Sequence, residues 1–91
     1  MTKIKAELLK VGDIILPPAR EIQLWMRRTL QEKNLPESAL HLTITEIREG
    51  NPDKNGRWLI VRCDQTKEWI GDGKSYPFSF KVRPETAWQK I

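Results

Sequence analysis

Cysteine is all but absent from this chain. Cys63 is the single thiol in 91 residues, so no disulfide can form within the chain and no cysteine cage can hold zinc. Long apolar runs are missing as well; none approaches the roughly 20 residues that cross a bilayer. Residues 1–7 hold no apolar stretch of the secretory-signal kind. There is no internal repeat, no low-complexity tract and no linker-like change of composition. The carboxylates Asp13, Glu46, Asp53, Asp64 and Asp72 lack the spacing of a metal-binding loop. The expectation is one domain over residues 1–91 in the reducing cytoplasm, with no metal, no small-molecule cofactor and no membrane partner.

What is present suits a small folded domain. Hydrophobic residues make up 38% and charged residues 31%, a balance of globular rather than disordered chains. A chain of this length buries roughly 60–65% of its unfolded surface, so its core is modest. Four Trp supply much of the apolar area. The net charge is +4, with a mildly acidic middle (34–56) between basic flanks. That excess permits a nucleic acid or an acidic partner, and it is also ordinary for a soluble domain.

Residues 40–63 carry the clearest structural signal. Two runs rich in Thr, Ile, Val and Trp flank a cluster of turn formers that includes Asn51, Pro52, Asp53, Asn55 and Gly56. Branched and aromatic side chains fit a pleated surface, and Asn-Gly accepts positive φ, so the spacing predicts a β-hairpin. Pairing Arg48 with Arg57 sets Ile44 opposite Val61 and Leu42 opposite Cys63. Leu40, Leu42, Ile44, Leu59, Val61 and Cys63 then share one apolar face. His41, Thr43, Thr45, Ile47, Trp58, Ile60 and Arg62 share a mixed one.

Ile4, Ala6 and Leu8 alternate with polar residues, as in a short strand or a flexible arm over 1–6. Gly12 and Asp13 signal a tight turn into a strand at 13–16. The stretch Leu9, Lys10, Val11, Gly12, Asp13, Ile14, Ile15, Leu16 resembles the opening of small SH3-like and PUA-like barrels, a likeness of fold that carries no function. Pro17 and Pro18 end this strand, and Pro18 suits a first helical turn. A helix is predicted over 18–34, with Ile22, Trp25, Met26 and Thr29 on its buried side and Leu30 at the margin. Asn34 suits a left-handed helix end, and 36–39 reads as one further turn. Trp69 and Ile70 lie in a polar stretch, Gly71, Asp72 and Gly73 form a turn, and 76–83 alternates as a strand with Pro77 near its start. Residues 84–90 read as a last helical turn that docks Trp88 on the core.

The fold expected is α+β: a small, curved antiparallel sheet or SH3-like/PUA-like barrel capped by one amphipathic helix. Its expected core is Val11, Ile14, Leu16, Ile22, Trp25, Met26, Leu42, Ile44, Leu59, Val61, Phe78, Phe80 and Val82.

Candidate chemistry is sparse. A thiolate nucleophile needs a base within reach, but the hairpin pattern sends Cys63 to the apolar face and His41 to the other. Gly71, Asp72, Gly73, Lys74 and Ser75 lack the order and helix start of a phosphate-binding loop. No catalytic constellation follows, and the chain reads as a non-catalytic binding module. The remaining signal is cations interleaved with rings: Trp25 with Arg27 and Arg28, Arg57 with Trp58, Arg62, Lys67 with Trp69, and Lys81 with Arg83. Proteins that bind single strands pair a cationic track with aromatic platforms for bases. The candidate set for RNA or DNA is Arg20, Arg27, Arg28, Trp58, Arg62, Lys81 and Arg83. In the plainer alternative the helix covers the mixed hairpin face and Trp58 packs on Trp25 or Met26. A protein partner on a sheet edge or on the Leu24 side of the helix is the other functional reading.

Overall fold

The structure, a computed structural model, describes residues 2–17, 20–65 and 78–91. The expectations for Pro18, Lys67, Trp69, Ile70, the turn at 71–73, the stretch 71–75 and the strand start at Tyr76 and Pro77 lie outside the described residues.

Among the described residues, six strands form one antiparallel sheet. They are β1 (Thr2–Lys5), β2 (Ile14–Ile15), β3 (Leu42–Glu49), β4 (Leu59–Gln65), β5 (Phe78–Val82) and β6 (Ala87–Lys90), arranged β1-β6-β2-β3-β4-β5. One helix, α1 (Arg20–Glu32), and two short 3-10 turns, Ala6–Leu8 and Glu37–Leu40, complete the described elements. The sheet curls into a half-barrel. Phe80 on β5 meets Trp88 on β6 edge-to-face at 5.6 Å although three strands separate them in the sheet order. The curved α+β expectation therefore holds at this level.

The hairpin forms, but in a different register. Leu42 pairs with Gln65 and Ile44 with Cys63; the ladder then shifts between Ile44 and Glu46, so that Glu46 pairs with Arg62 and Ile47 with Val61. The expected pairings of Ile44 with Val61 and Leu42 with Cys63 are thus corrected. The connection beyond Glu49 is long: Gly50 N–H still bonds Trp58 C=O at 2.9 Å, and Asp53 and Gly56 form an isolated bridge at the tip. Gly56 has φ +121°, a conformation that L side chains rarely adopt. The extra residue, Thr45, is a β-bulge, and it flips the alternation that follows it. Ile47 consequently turns toward the core instead of the mixed face. Ile47→Lys is expected to cost about 1–3 kcal/mol and Thr45→Lys less than about 0.5 kcal/mol in chemical denaturation. Equal effects would refute the bulge.

Leu40, Leu42, Ile44, Leu59, Val61 and Cys63 are all buried, as their shared face implies. Leu16 and Met26 are buried too, while Ile22, Phe78, Phe80 and Val82 are half-buried against the same core. Three expected core residues are not there. Val11 is 64% exposed, Ile14 42% and Trp25 54%. Val11 sits in the turn before β2, and Ile14 alternates with the buried Ile15. On α1 the buried stripe runs Ile22, Met26, Leu30, one residue every four, which rotates Trp25 outward. Asn34 ends the helix with φ 55°, and Leu35 N–H reaches Leu30 C=O at 2.9 Å, closing a Schellman-type cap.

Both chain ends enter the sheet. Thr2–Lys5, read from the sequence as strand or arm, is β1 and pairs with β6, setting Ile4 opposite Trp88. Residues 84–90 are corrected from a helical turn to a turn followed by β6. Trp88 still docks as expected and is almost wholly buried, and Ala6 and Leu9 join it in the core. The partner that makes 87–90 a strand lies more than eighty residues away, where local pattern does not reach.

Candidate functional site

Alternation along β4 sends Leu59, Val61 and Cys63 into the core and Trp58, Ile60 and Arg62 to the outer face of the sheet. On β5, Leu59 pairs with Val82, Ile60 with Lys81 and Arg62 with Ser79, so Arg83 lies opposite Trp58 and Lys81 shares its face. On β3, the bulge places Glu46 opposite Arg62 and Arg48 opposite Ile60. Asp64, next on this face beyond Arg62, bounds the cationic stretch.

Trp58 is half-buried, and its hydrogen bond and ring contacts run to Asp53, Lys81 and Arg83 rather than to α1. The Arg83 guanidinium lies 3.6 Å from an indole ring centroid and the Lys81 ammonium 4.8 Å, both within cation–π range. The indole N–H donates to Asp53 Oδ2 at 2.7 Å. Asp53 also accepts from Asn55 N–H at 2.8 Å and pairs with Arg83 at 3.2 Å. Arg83 donates in addition to Arg57 C=O at 3.1 Å. A Cβ on Gly50 would come 3.3 Å from Trp58 Cβ, so the small residue lets the indole sit close to the tip. The Trp58 hydrogen bond, then the Asn55 N–H and Arg83, hold the Asp53 carboxyl below its ordinary 3.8. The Arg57 hydrogen bond does the same for Glu49. The tip network is thus charged at neutral pH, and its pH-dependent contribution is lost as pH falls through those lowered values.

Four members of the candidate set, Trp58, Arg62, Lys81 and Arg83, come together on the outer face. Arg20, Arg27 and Arg28 do not join them. They ride on α1, whose Met26 and Leu30 enter the core on the other side of the sheet. Arg27 is ion-paired with Glu37. Arg83 is so fully engaged by Asp53, Arg57 and the indole that it positions Trp58 rather than standing free for a ligand. The sequence reading missed Asp53, Arg48 and Glu46. Alternation alone puts Glu46 and Arg48 on one face; their relation to Arg62 requires the bulge.

The thiol and histidine remain apart in role. Cys63 is fully buried and pairs with Ile44; burial first, and the Asp64 charge second, push its pKa up to about 12, so it is no thiolate at neutral pH. Among the described residues, no three His, Cys, Asp or Glu side chains gather as metal ligands, and no helix is long and apolar enough to cross a membrane. A separate groove of about 330 Å³ lies among Lys3, Pro17, Gln23, Ala87, Trp88 and Gln89, with Lys3 its only charged lining residue among those described.

No family model, curated protein or solved structure matches the chain. What the outer face can bind follows from its side chains. Arg48, Arg62, Lys81 and Arg83 share it with Glu46, Asp53 and Asp64, and they surround one oriented indole and the half-buried Ile60. Such a surface can neutralise anionic groups and stack on a planar one.

Proposed function

We propose that this chain is a small, non-catalytic module that binds single-stranded RNA or DNA through the outer face of β3, β4 and β5. The observation that carries the reading is Trp58, oriented by Asp53 and flanked by Lys81 and Arg83, on the same face as Arg62. An indole fixed on a sheet meets an unpaired base by stacking, while nearby cations meet the phosphates. Within the same proposal the half-barrel is an open variant of the small SH3-like or PUA-like plan, and the module works in the cytoplasm, where an unpaired buried thiol such as Cys63 persists.

The test is fluorescence anisotropy with labelled oligo-dT and oligo-U. Binding is expected to be weak and to fall steeply between about 20 and about 200 mM salt, with a log–log slope near −2 if Arg48, Arg62 and Lys81 each meet a phosphate, at about −0.7 per contact. No binding to either strand at low salt would sink the reading.

One observation favours a second reading as a protein-interaction module. Leu24 and Trp25 are exposed side by side on α1, at 57% and 54%. Apolar pairs of this kind suit a protein partner, whose binding would respond little to salt.

A further inference from the structure

The outer face contains a feature that the aromatic platform does not explain. Glu46 lies directly across the ladder from Arg62 and two residues from Arg48 on its own strand. Its two oxygens divide between them: Oε1 is 3.7 Å from Arg48 Nε, and Oε2 is 3.5 Å from Arg62 Nη1. Both separations exceed normal hydrogen-bond length, and all three side chains are substantially exposed. One carboxylate thus bridges two guanidinium groups loosely, without the close fork geometry that makes an arginine–carboxylate pair strong.

We infer that Arg48 and Arg62 form a phosphate site for a single-stranded nucleic acid, filled in the free protein by the Glu46 carboxylate. The inference rests on the nucleic-acid reading above and adds to it a defined position for the backbone and an internal competitor. A phosphodiester presents two anionic oxygens to two guanidinium groups, as the carboxylate does, and can accept from both. The ion pairs it displaces are exposed and loose, so little opposes the exchange. Trp58, just before β4, lies four positions from Arg62, about 13 Å along the strand direction at about 3.3 Å per residue. A strand bound with its phosphate on the arginine pair would therefore pass along the face toward the indole.

Glu46→Gln keeps the size of the side chain and removes its charge. In oligo-dT anisotropy at low salt, E46Q is expected to bind roughly two- to fivefold tighter than wild type, the range of an exposed ion pair expressed as affinity. The gain should vanish in the R48Q/R62Q background, which itself binds more weakly than wild type. Wild-type affinity in E46Q would overturn the phosphate site while leaving the nucleic-acid reading in place. A gain that persists without both arginines would overturn it as well, because any lost negative charge would then suffice. No binding by wild type or E46Q would sink both readings together. Thermal melts of each variant check that the sheet is intact, since all three side chains lie on the outer face.

Discussion

Val61→Asp is expected to abolish the cooperative thermal transition. Val61 is fully buried at the middle of β4, paired with Ile47 on one side and Phe80 on the other. An aspartate there would face Leu59, Cys63 and the apolar residues of β3 and β5, and none of its backbone neighbours offers a cation on that face. Burying an unpaired carboxylate costs several kcal/mol even when it takes up a proton. Small domains hold about 5–15 kcal/mol in total, and one of this size sits near the lower end. Val61→Ala separates charge from packing. It removes two methyl groups and should cost about 2 kcal/mol, leaving a cooperative but lower melt. Circular dichroism during heating reads both. A Val61→Asp protein that melts like wild type would place Val61 outside the core.

The buried face of the hairpin was legible because it depends on alternation alone. Leu42, Ile44, Leu59, Val61 and Cys63 keep the same side under any even shift of register, so the assignment survived a wrong register. Thr45 marks the limit. A bulge there adds one residue to one strand, and nothing in the composition of Thr43, Ile44, Thr45 announces it. Ile47, Glu46 and Arg48 therefore take faces that plain alternation does not give, and the carboxylate between two arginines follows only from the bulge. On α1 the periodicity centres the expected buried side on Ile22, Trp25, Met26 and Thr29, with Leu30 at its margin; the packed stripe runs Ile22, Met26, Leu30, turned by part of the helix circumference away from Trp25. β6 shows the third kind of limit. Ala87, Trp88, Gln89 and Lys90 become a strand through pairing with Thr2–Lys5. The aromatic and cationic residues around Trp58 were visible as types; the roles of Asp53 and Arg83 depend on contacts across the hairpin.

Trp58 now bears two duties, and two substitutions separate them. Trp58→Ala removes the ring, the hydrogen bond to Asp53 and the surface under Lys81 and Arg83. If a base stacks there, affinity for oligo-dT should fall roughly 5- to 150-fold, the loss of about 1–3 kcal/mol per stacked base. The melting temperature should also fall, by roughly 5 °C, because the hairpin tip loses its centre. Trp58→Phe keeps a π face for a base and for the cations but has no N–H to offer Asp53, which retains Asn55 and Arg83. It should therefore keep most of the affinity, within about threefold, since ring–base stacking persists. A binding loss equal in both variants would mean that the indole's bond to Asp53, and so the shape of the tip, governs binding. Wild-type affinity in Trp58→Ala would remove the platform altogether, leaving charge as the sole basis of any binding, with an unchanged salt slope.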